Sequence, residues 1–153
     1  MTSIRVTPVR FEDQNWKAVT QIRTEVFVVE QAVDESEEYD EFEESCRHFL
    51  ATVDGKPAGT ARWRKTEKGY KLERFAVLKS FRRKGVGSHL VQAALEEVMP
   101  KAGSGKGKIY LHAQVQAMPF YKELGFVAFG PEFTEADILH QAMQYDWEQK
   151  SGL

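Results

Sequence analysis

Apolar and polar residues alternate through Ile4-Arg5-Val6-Thr7-Pro8-Val9, which predicts a first strand. From about Asn15 the apolar Trp16, Val19, Ile22, Val26 and Val29 recur at helical spacing, so a helix follows. Phe49 to Val53 and Gly59 to Arg64 flank Asp54-Gly55-Lys56, an Asp-Gly turn signal that predicts a hairpin. A second turn at Glu67-Lys68-Gly69 leads into Tyr70 to Leu78, giving three consecutive antiparallel strands. Val86, Leu90, Ala94 and Val98 mark the next helix, closed by Pro100 and the glycine-rich connection Gly103 to Gly107. Ile109 to Ala113 reads as a short buried strand, Ala117 to Leu124 as a short helix, Gly125 to Phe129 as a strand and Leu139 to Trp147 as the last strand. The order β-α-βββ-α-β-α-ββ predicts an α+β fold, a mixed central sheet flanked by helices, in one domain over 1-153 without an internal repeat or linker.

Composition narrows the function classes. With 153 residues, 42% hydrophobic and 29% charged, the chain suits one ordered core. A net charge of -2 without a long basic tract argues against a dedicated nucleic-acid binder. Cys46 is the only cysteine, so an internal disulfide is excluded and no zinc motif is recognisable; a reduced, cytoplasmic setting is expected. No apolar run approaches the roughly 20 residues that a bilayer demands, so no membrane role is expected. The segment Asp34 to Glu44 holds eight acidic residues in eleven and reads as an exposed loop or short helix. Either it steers a cationic amine electrostatically or it merely aids solubility, with Tyr39 and Phe42 packing it down.

Arg82-Arg83-Lys84-Gly85-Val86-Gly87-Ser88 falls between a strand and a helix. Two glycines let the backbone curl so that successive N–H groups point at one spot, and the helix N-terminus adds partial positive charge. Three cationic side chains add attraction for a diphosphate. Alone, the same residues read equally well as a basic turn capping a helix. A dinucleotide fingerprint fails because Leu90 stands where its third glycine belongs, and a P-loop fails because Pro100 and Ala102 replace its first glycine.

About thirty residues later comes Ala117-Met118-Pro119-Phe120-Tyr121-Lys122-Glu123-Leu124-Gly125-Phe126. Basic-x-x-Gly-x-Gly before a helix, followed by Ala-x-x-x-Tyr-x-x-x-Gly-Phe, resembles the GNAT superfamily of acetyl-CoA-dependent acyltransferases, and the coarse element order resembles that fold along essentially the whole chain. Arg23-x-x-Val26-Phe27-Val28-x-Glu30-Gln31, Cys46-Arg47-His48, Gly59-x-Ala61-Arg62-Trp63-Arg64, Leu72-Glu73-Arg74 and Glu135-x-x-x-x-His140-x-x-Met143 resemble the small bacterial ElaA/YjcF-like subgroup.

The resemblance implies an N-acetyltransferase with acetyl-CoA as donor, an amine-bearing small molecule or peptide as acceptor, and a homodimer surface at a sheet edge. It implies that Phe75, Ala76 and Val77 pair through their backbone with the pantetheine arm, that Arg82 to Ser88 (Arg82, Arg83, Lys84, Gly85, Val86, Gly87, Ser88) bind the pyrophosphate, and that Gln114 and Phe120 contact the cofactor. Gln114 stands where many members have asparagine. Tyr121 takes the role of the acid that protonates the departing thiolate. Direct transfer needs no covalent intermediate, only a backbone N–H near Val77 for the oxyanion. For the base, Glu73, Glu30 and His140 all qualify; a salt bridge to Arg23, Arg62 or Arg74, or a structural hydrogen bond for His140, is the competing reading. Cys46 beside His48 reads as a core cysteine. A CoA-binding sensor or interaction module without turnover is the alternative function.

Overall fold

A computed structural model describes residues 2–103 and 108–146. Gly105 and Gly107 of the expected connection, and Trp147 of the expected last strand, lie outside them. The strands are β1 (Ile4–Val9), β2 (Arg47–Val53), β3 (Lys56–Thr66), β4 (Gly69–Val77), β5 (Ile109–Gln114), β6 (Phe126–Ala128), β7 (Phe133–Glu135) and β8 (Ile138–Tyr145). They form one sheet in the order β1-β2-β3-β4-β5-β8-β6, with β7 paired to β8. The helices are α1 (Trp16–Arg23), α2 (Glu35–Glu38), α3 (Val86–Ala102) and α4 (Met118–Glu123). None of the described helices is long and apolar enough to cross a membrane. Two compact units emerge, Met1–Arg64 with Arg74–Leu95 and Lys65–Glu73 with Glu96–Leu153, and the chain passes between them along β3, β4 and α3.

In the first unit β1 and β2 pair antiparallel from Ile4↔Val53 to Val9↔His48, and β2 and β3 from Arg47↔Trp63 to Val53↔Lys56. The hairpin between β2 and β3 turns where expected, with φ of 49° at Asp54 and 83° at Gly55, the two left-handed residues of a primed turn. Val19, Ile22, Val26 and Phe27 pack on Val9, Leu50 and Ala76 to form the core. Val29, expected on the same stripe, is instead 65% exposed. From Thr24 to Glu30 the helix widens into a π-helical segment, in which Gln31 N donates to Val26 O at 3.2 Å. The wider turn keeps Val26 and Phe27 inside and carries Val29 out.

Gly59 of β3 is where the sheet meets α3. A Cβ there would stand 2.9 Å from the Ala76 carbonyl oxygen, 3.0 Å from Val86 Cγ1 and 3.1 Å from Leu90 Cδ1. Val86 and Leu90 are 1% and 0% exposed, so neither has room to retreat. Gly59→Ala is expected to cost about 1–3 kcal/mol by overpacking, read as a lower midpoint in thermal unfolding; an unchanged midpoint would show that the contact relaxes. Pro100, expected to close α3, lies inside it. The helix runs two residues further and stops at Gly103, whose φ of 84° is that of a left-handed C-terminal glycine.

In the second unit β5 and β8 pair antiparallel from Tyr110↔Gln144 to Gln114↔His140, β6 joins β8, and β4 meets β5 in parallel at Tyr70↔Ile109 and Lys71↔Tyr110. Among the described residues three strands, not the expected two, follow α4. The additional β7 pairs with β8 through a turn at Ala136 and Asp137, with φ of 52° and 63°. Neither turn residue is glycine and the strand has three residues, too few for an alternation to register.

Candidate active site

The basic loop begins where β4 ends. After a 3-10 turn at Lys79–Phe81, Arg83 has φ of 62° and Gly85 φ of 90°, and α3 starts at Val86. The first turn of α3 holds no acid, and His89 Nδ1 closes on the Gly85 carbonyl at 2.8 Å, leaving the ring beside the helix start. Arg83, Lys84 and Gly85 are exposed, and Gly87 and Ser88 are partly so. This arrangement suits an anion at the helix N-terminus. Arg82 does not spread into solvent: its Nε donates to the Val77 carbonyl at 2.9 Å, and its two Nη groups grip Glu30 at 2.7 Å each. The Arg82 hydrogen bonds hold the Glu30 carboxyl below its usual range, against slight burial. Glu30 was expected either as a base or in a salt bridge with Arg23, Arg62 or Arg74; it forms a salt bridge, and its partner is Arg82.

Those three arginines are used elsewhere in the first unit. Arg23, 1% exposed, donates from Nε to Glu38 at 2.6 Å and from Nη1 and Nη2 to Glu43 at 2.7 and 2.9 Å. Arg62, also 1% exposed, holds Asp40 through both Nη groups at 3.0 and 2.7 Å and reaches Glu43 at 3.0 Å. Arg74 has a left-handed φ of 58° inside β4, a strained state for a non-glycine residue, and binds Glu38 and Asp40 at 3.3 Å each. Burial opposes the Asp40 charge, but the Arg62 pair outweighs it and holds the carboxyl down to about 2.

The acidic segment is therefore only partly the exposed stretch that was expected. Glu38, Asp40 and Glu43 turn inward onto three arginines, while Asp34, Glu35, Glu37, Glu41 and Glu44 stay exposed. Tyr39 packs under Arg23 and Phe42 under Arg64, with guanidinium-to-ring distances of 4.8 and 4.0 Å. His48 Nε2 meets the Glu43 carbonyl at 2.7 Å and burial lowers the imidazole's pKa, so His48 completes this network rather than activating buried Cys46. An open depression of about 450 Å3 bordered by Phe11, Glu44, Cys46 and Arg47 lies in the same unit, and none of the residues named for acetyl transfer lines it.

In the second unit Tyr121 sits in α4, which Pro119 starts and Gly125, with φ of 101°, helps to stop. Tyr121 is 9% exposed and stands edge-on to Phe120 and Phe126, at 5.0 and 6.1 Å. Burial raises its hydroxyl above the ordinary tyrosine value, so it keeps its proton at any working pH. Glu73 is 8% exposed with Lys71 Nζ 3.2 Å away. Gln114 pairs in register with His140, which is 7% exposed. Met143 is fully buried, a core residue.

The sequence model described as an acetyltransferase (GNAT) domain matches residues 11–147. The chain belongs to the GNAT acetyltransferase family. It is 42% identical over 135 residues to the uncharacterized N-acetyltransferase YjcF of Bacillus subtilis (strain 168), covering 88% of this chain and 94% of that one. An acyl-CoA N-acyltransferase from Pseudomonas aeruginosa superposes with a TM-score of 0.79 at 28% identity, over 94% of this chain and 99% of the other. Escherichia coli ElaA shares the fold with a TM-score of 0.80 at 24% identity, over 94% and 100%.

As a GNAT-family chain the protein is an acyltransferase, and its mixed, mostly antiparallel sheet flanked by helices is that family's fold. Of the residues singled out in the sequence of this GNAT chain, Arg82 and Glu30 are brought together, and Gln114 and His140 lie side by side. His112 was missed. Its nitrogen Nδ1 is 3.2 Å from Glu135, and the only signal for it was the strand alternation that puts it on the same face as Gln114.

Proposed function

We propose that this GNAT protein is an N-acetyltransferase, a single acetyltransferase-like domain that moves acetyl from acetyl-CoA directly to an amine. The observation that carries the reading is the loop before α3: left-handed Arg83 and Gly85, exposed Lys84, and a helix start without acids. Arg82 to Ser88 bind the pyrophosphate, as backbone N–H groups and cations suit it. Glu30 serves this loop by fixing Arg82 and is assigned no proton transfer. Phe75, Ala76 and Val77 offer backbone groups to the pantetheine arm, and Gln114 and Phe120 are the cofactor's side-chain contacts. Tyr121 donates to the departing sulfur, while Glu73 and His140 belong to the acceptor pocket. The acceptor is an amine-bearing small molecule or peptide, the compartment the cytoplasm, where the Cys46 thiol stays reduced, and the assembly a homodimer through a sheet edge.

Calorimetry with acetyl-CoA and with free CoA tests the site, on the parent and on a Gly85→Asp, Gly87→Asp variant. Both side chains place a carboxylate at the helix start, and at Gly85 the φ of 90° disfavours any Cβ. A loss of affinity on the order of 100-fold in a folded variant is expected, about 2.7 kcal/mol. A parent that binds neither ligand overturns the assignment. Binding with no CoA release against a broad amine panel would make the chain a CoA-binding module without turnover.

A further inference from the structure

The second unit contains a cluster of which only His140 has a place in the transfer as proposed. Antiparallel register sets His112 of β5 opposite Ala142 and Gln114 opposite His140, and it sets Phe133 and Glu135 of β7 opposite His140 and Ile138. Opposed residues, and alternate residues along one strand, share a sheet face, so His112, His140, Phe133 and Glu135 stand together. Glu135 Oε1 lies 3.2 Å from His112 Nδ1, and Oε2 lies 4.0 Å from His140 Nε2.

The chemistry of the acceptors fixes both tautomers. A carboxylate only accepts, so His112 Nδ1 carries the hydrogen and the lone pair of the neutral ring falls on Nε2. His140 Nδ1 lies 2.7 Å from the Ile138 carbonyl, which also only accepts, so its basic nitrogen Nε2 is the one that faces Glu135. The His140 ring is stacked on Phe133 with centroids 5.9 Å apart, and its side chain is 9% exposed. His112 differs on both counts. Its side chain is 26% exposed, its ring is flanked by Phe133 at 4.9 Å and Tyr110 at 5.9 Å, and among the described residues Nε2 makes no hydrogen bond.

We propose that His112 Nε2 is the general base of this acetyltransferase, taking a proton from the acceptor ammonium, and that Glu135 is the residue that positions it. The proposal rests on the transferase reading above. Proton transfer to Nε2 gives an imidazolium whose Nδ1–H faces the Glu135 carboxylate and leaves a neutral amine. The amine nitrogen then bonds to the thioester carbon, and the C–S bond breaks as the tetrahedral adduct collapses. The second amine proton reaches the sulfur by way of the Tyr121 hydroxyl, which gives one proton and recovers one, and the proton on His112 leaves to solvent. Among the described residues, the charged and titratable groups facing the pair are Lys71 from β4, with Glu73 3.2 Å from its Nζ, Tyr110 from β5 and His140 from β8. Glu135 is held down to about 2, chiefly by the His112 hydrogen bond and against partial burial, with Lys71 and His140 adding. It is thus an anion throughout and has no proton to exchange.

The test uses the full-length chain, with acetyl-CoA and a panel of spermidine, glucosamine, kanamycin and a lysine-containing peptide as acceptor probes. His112→Gln is expected to lower kcat/KM for the amine about 10²-fold or more and to abolish the acidic limb of the pH–rate profile, with acetyl-CoA affinity and the circular dichroism spectrum unchanged. Glu135→Gln is expected to lower kcat about tenfold, at nearly constant KM, by loosening the tautomer. Imidazole 15N shifts should report His112 as Nδ1–H in the parent and as a mixture in Glu135→Gln. His140→Gln should keep the acidic limb. Turnover that survives in His112→Gln with its acidic limb intact overturns the proposal, as does an Nε2–H tautomer in the parent. If His112→Gln fails to fold, Glu135→Gln decides the matter: unchanged kcat and unchanged shifts overturn it. A parent that binds acetyl-CoA yet turns over no amine removes the transferase reading itself, a failure seen before any variant is made.

Discussion

Arg23→Met is expected to destabilise the protein by about 3–5 kcal/mol, the usual consequence of removing one partner from a buried ion pair. Methionine keeps much of the volume of the stem, so the loss falls on the charges. Glu38 and Glu43, 3% and 8% exposed, would each lose a hydrogen-bonded cation and keep a carboxylate out of water. Arg62 and Arg74 remain near these acids, but their guanidinium groups are already shared with Asp40. For a chain of this size each kcal/mol moves the thermal midpoint by about 2–4 °C, so a fall of roughly 6–20 °C is expected. Adding Glu38→Gln and Glu43→Gln should recover part of it, because neutral amides are cheaper to bury than unpaired carboxylates. A midpoint shift below 2 °C for Arg23→Met alone would mean that water enters the network and screens it.

Tyr121→Phe is expected to lower kcat for amine acetylation by about 10²–10⁴-fold, the usual worth of a positioned proton donor. Acetyl-CoA affinity should change little, and so should the fold. The ring's edge contacts with Phe120 and Phe126 survive the substitution, and only a hydroxyl is removed, a loss of about 1 kcal/mol in stability. The raised pKa of Tyr121 gives the prediction a further constraint. A hydroxyl more weakly acidic than a thiol, whose reference pKa is about 8.5, does not protonate a free thiolate downhill. In the proposed transfer its contribution is to supply a proton to sulfur as the C–S bond breaks and to recover one from the adduct's nitrogen. The effect should therefore sit in kcat under saturating acetyl-CoA, measured as CoA release with a turned-over amine. An unaltered kcat would assign Tyr121 to packing alone.

Much of this fold was legible because its signals are local. The left-handed turn at Asp54-Gly55 and the helical spacing of Val86, Leu90, Ala94 and Val98 each depend on a few neighbouring residues. Local signals failed where the backbone departs from ordinary geometry. Val29 is carried out by a π-helical turn that no residue type announces, and β7 returns through Ala136 and Asp137 without a glycine to mark it. Of the two stop signals read for α3, Pro100 lies inside the helix, and Gly103 supplies the left-handed φ that ends it.

The sequence by itself determined the family, the order of most elements, and the basic Gly-x-Gly loop that opens α3, since each is written in contiguous residues whose conformations are set by sterics and short-range hydrogen bonds. Partner choice is another matter. Arg23 meets Glu38 and Glu43, Arg82 meets Glu30 across 52 positions, and His112 meets Glu135 across 23. Any arginine in this chain attracts any carboxylate with the same Coulomb law, so composition makes these pairs interchangeable. Only tertiary structure brings chosen side chains within hydrogen-bond reach and removes the competing water, and that decided which acids brace the fold, which one holds Arg82 of the basic loop, and which histidine meets a carboxylate.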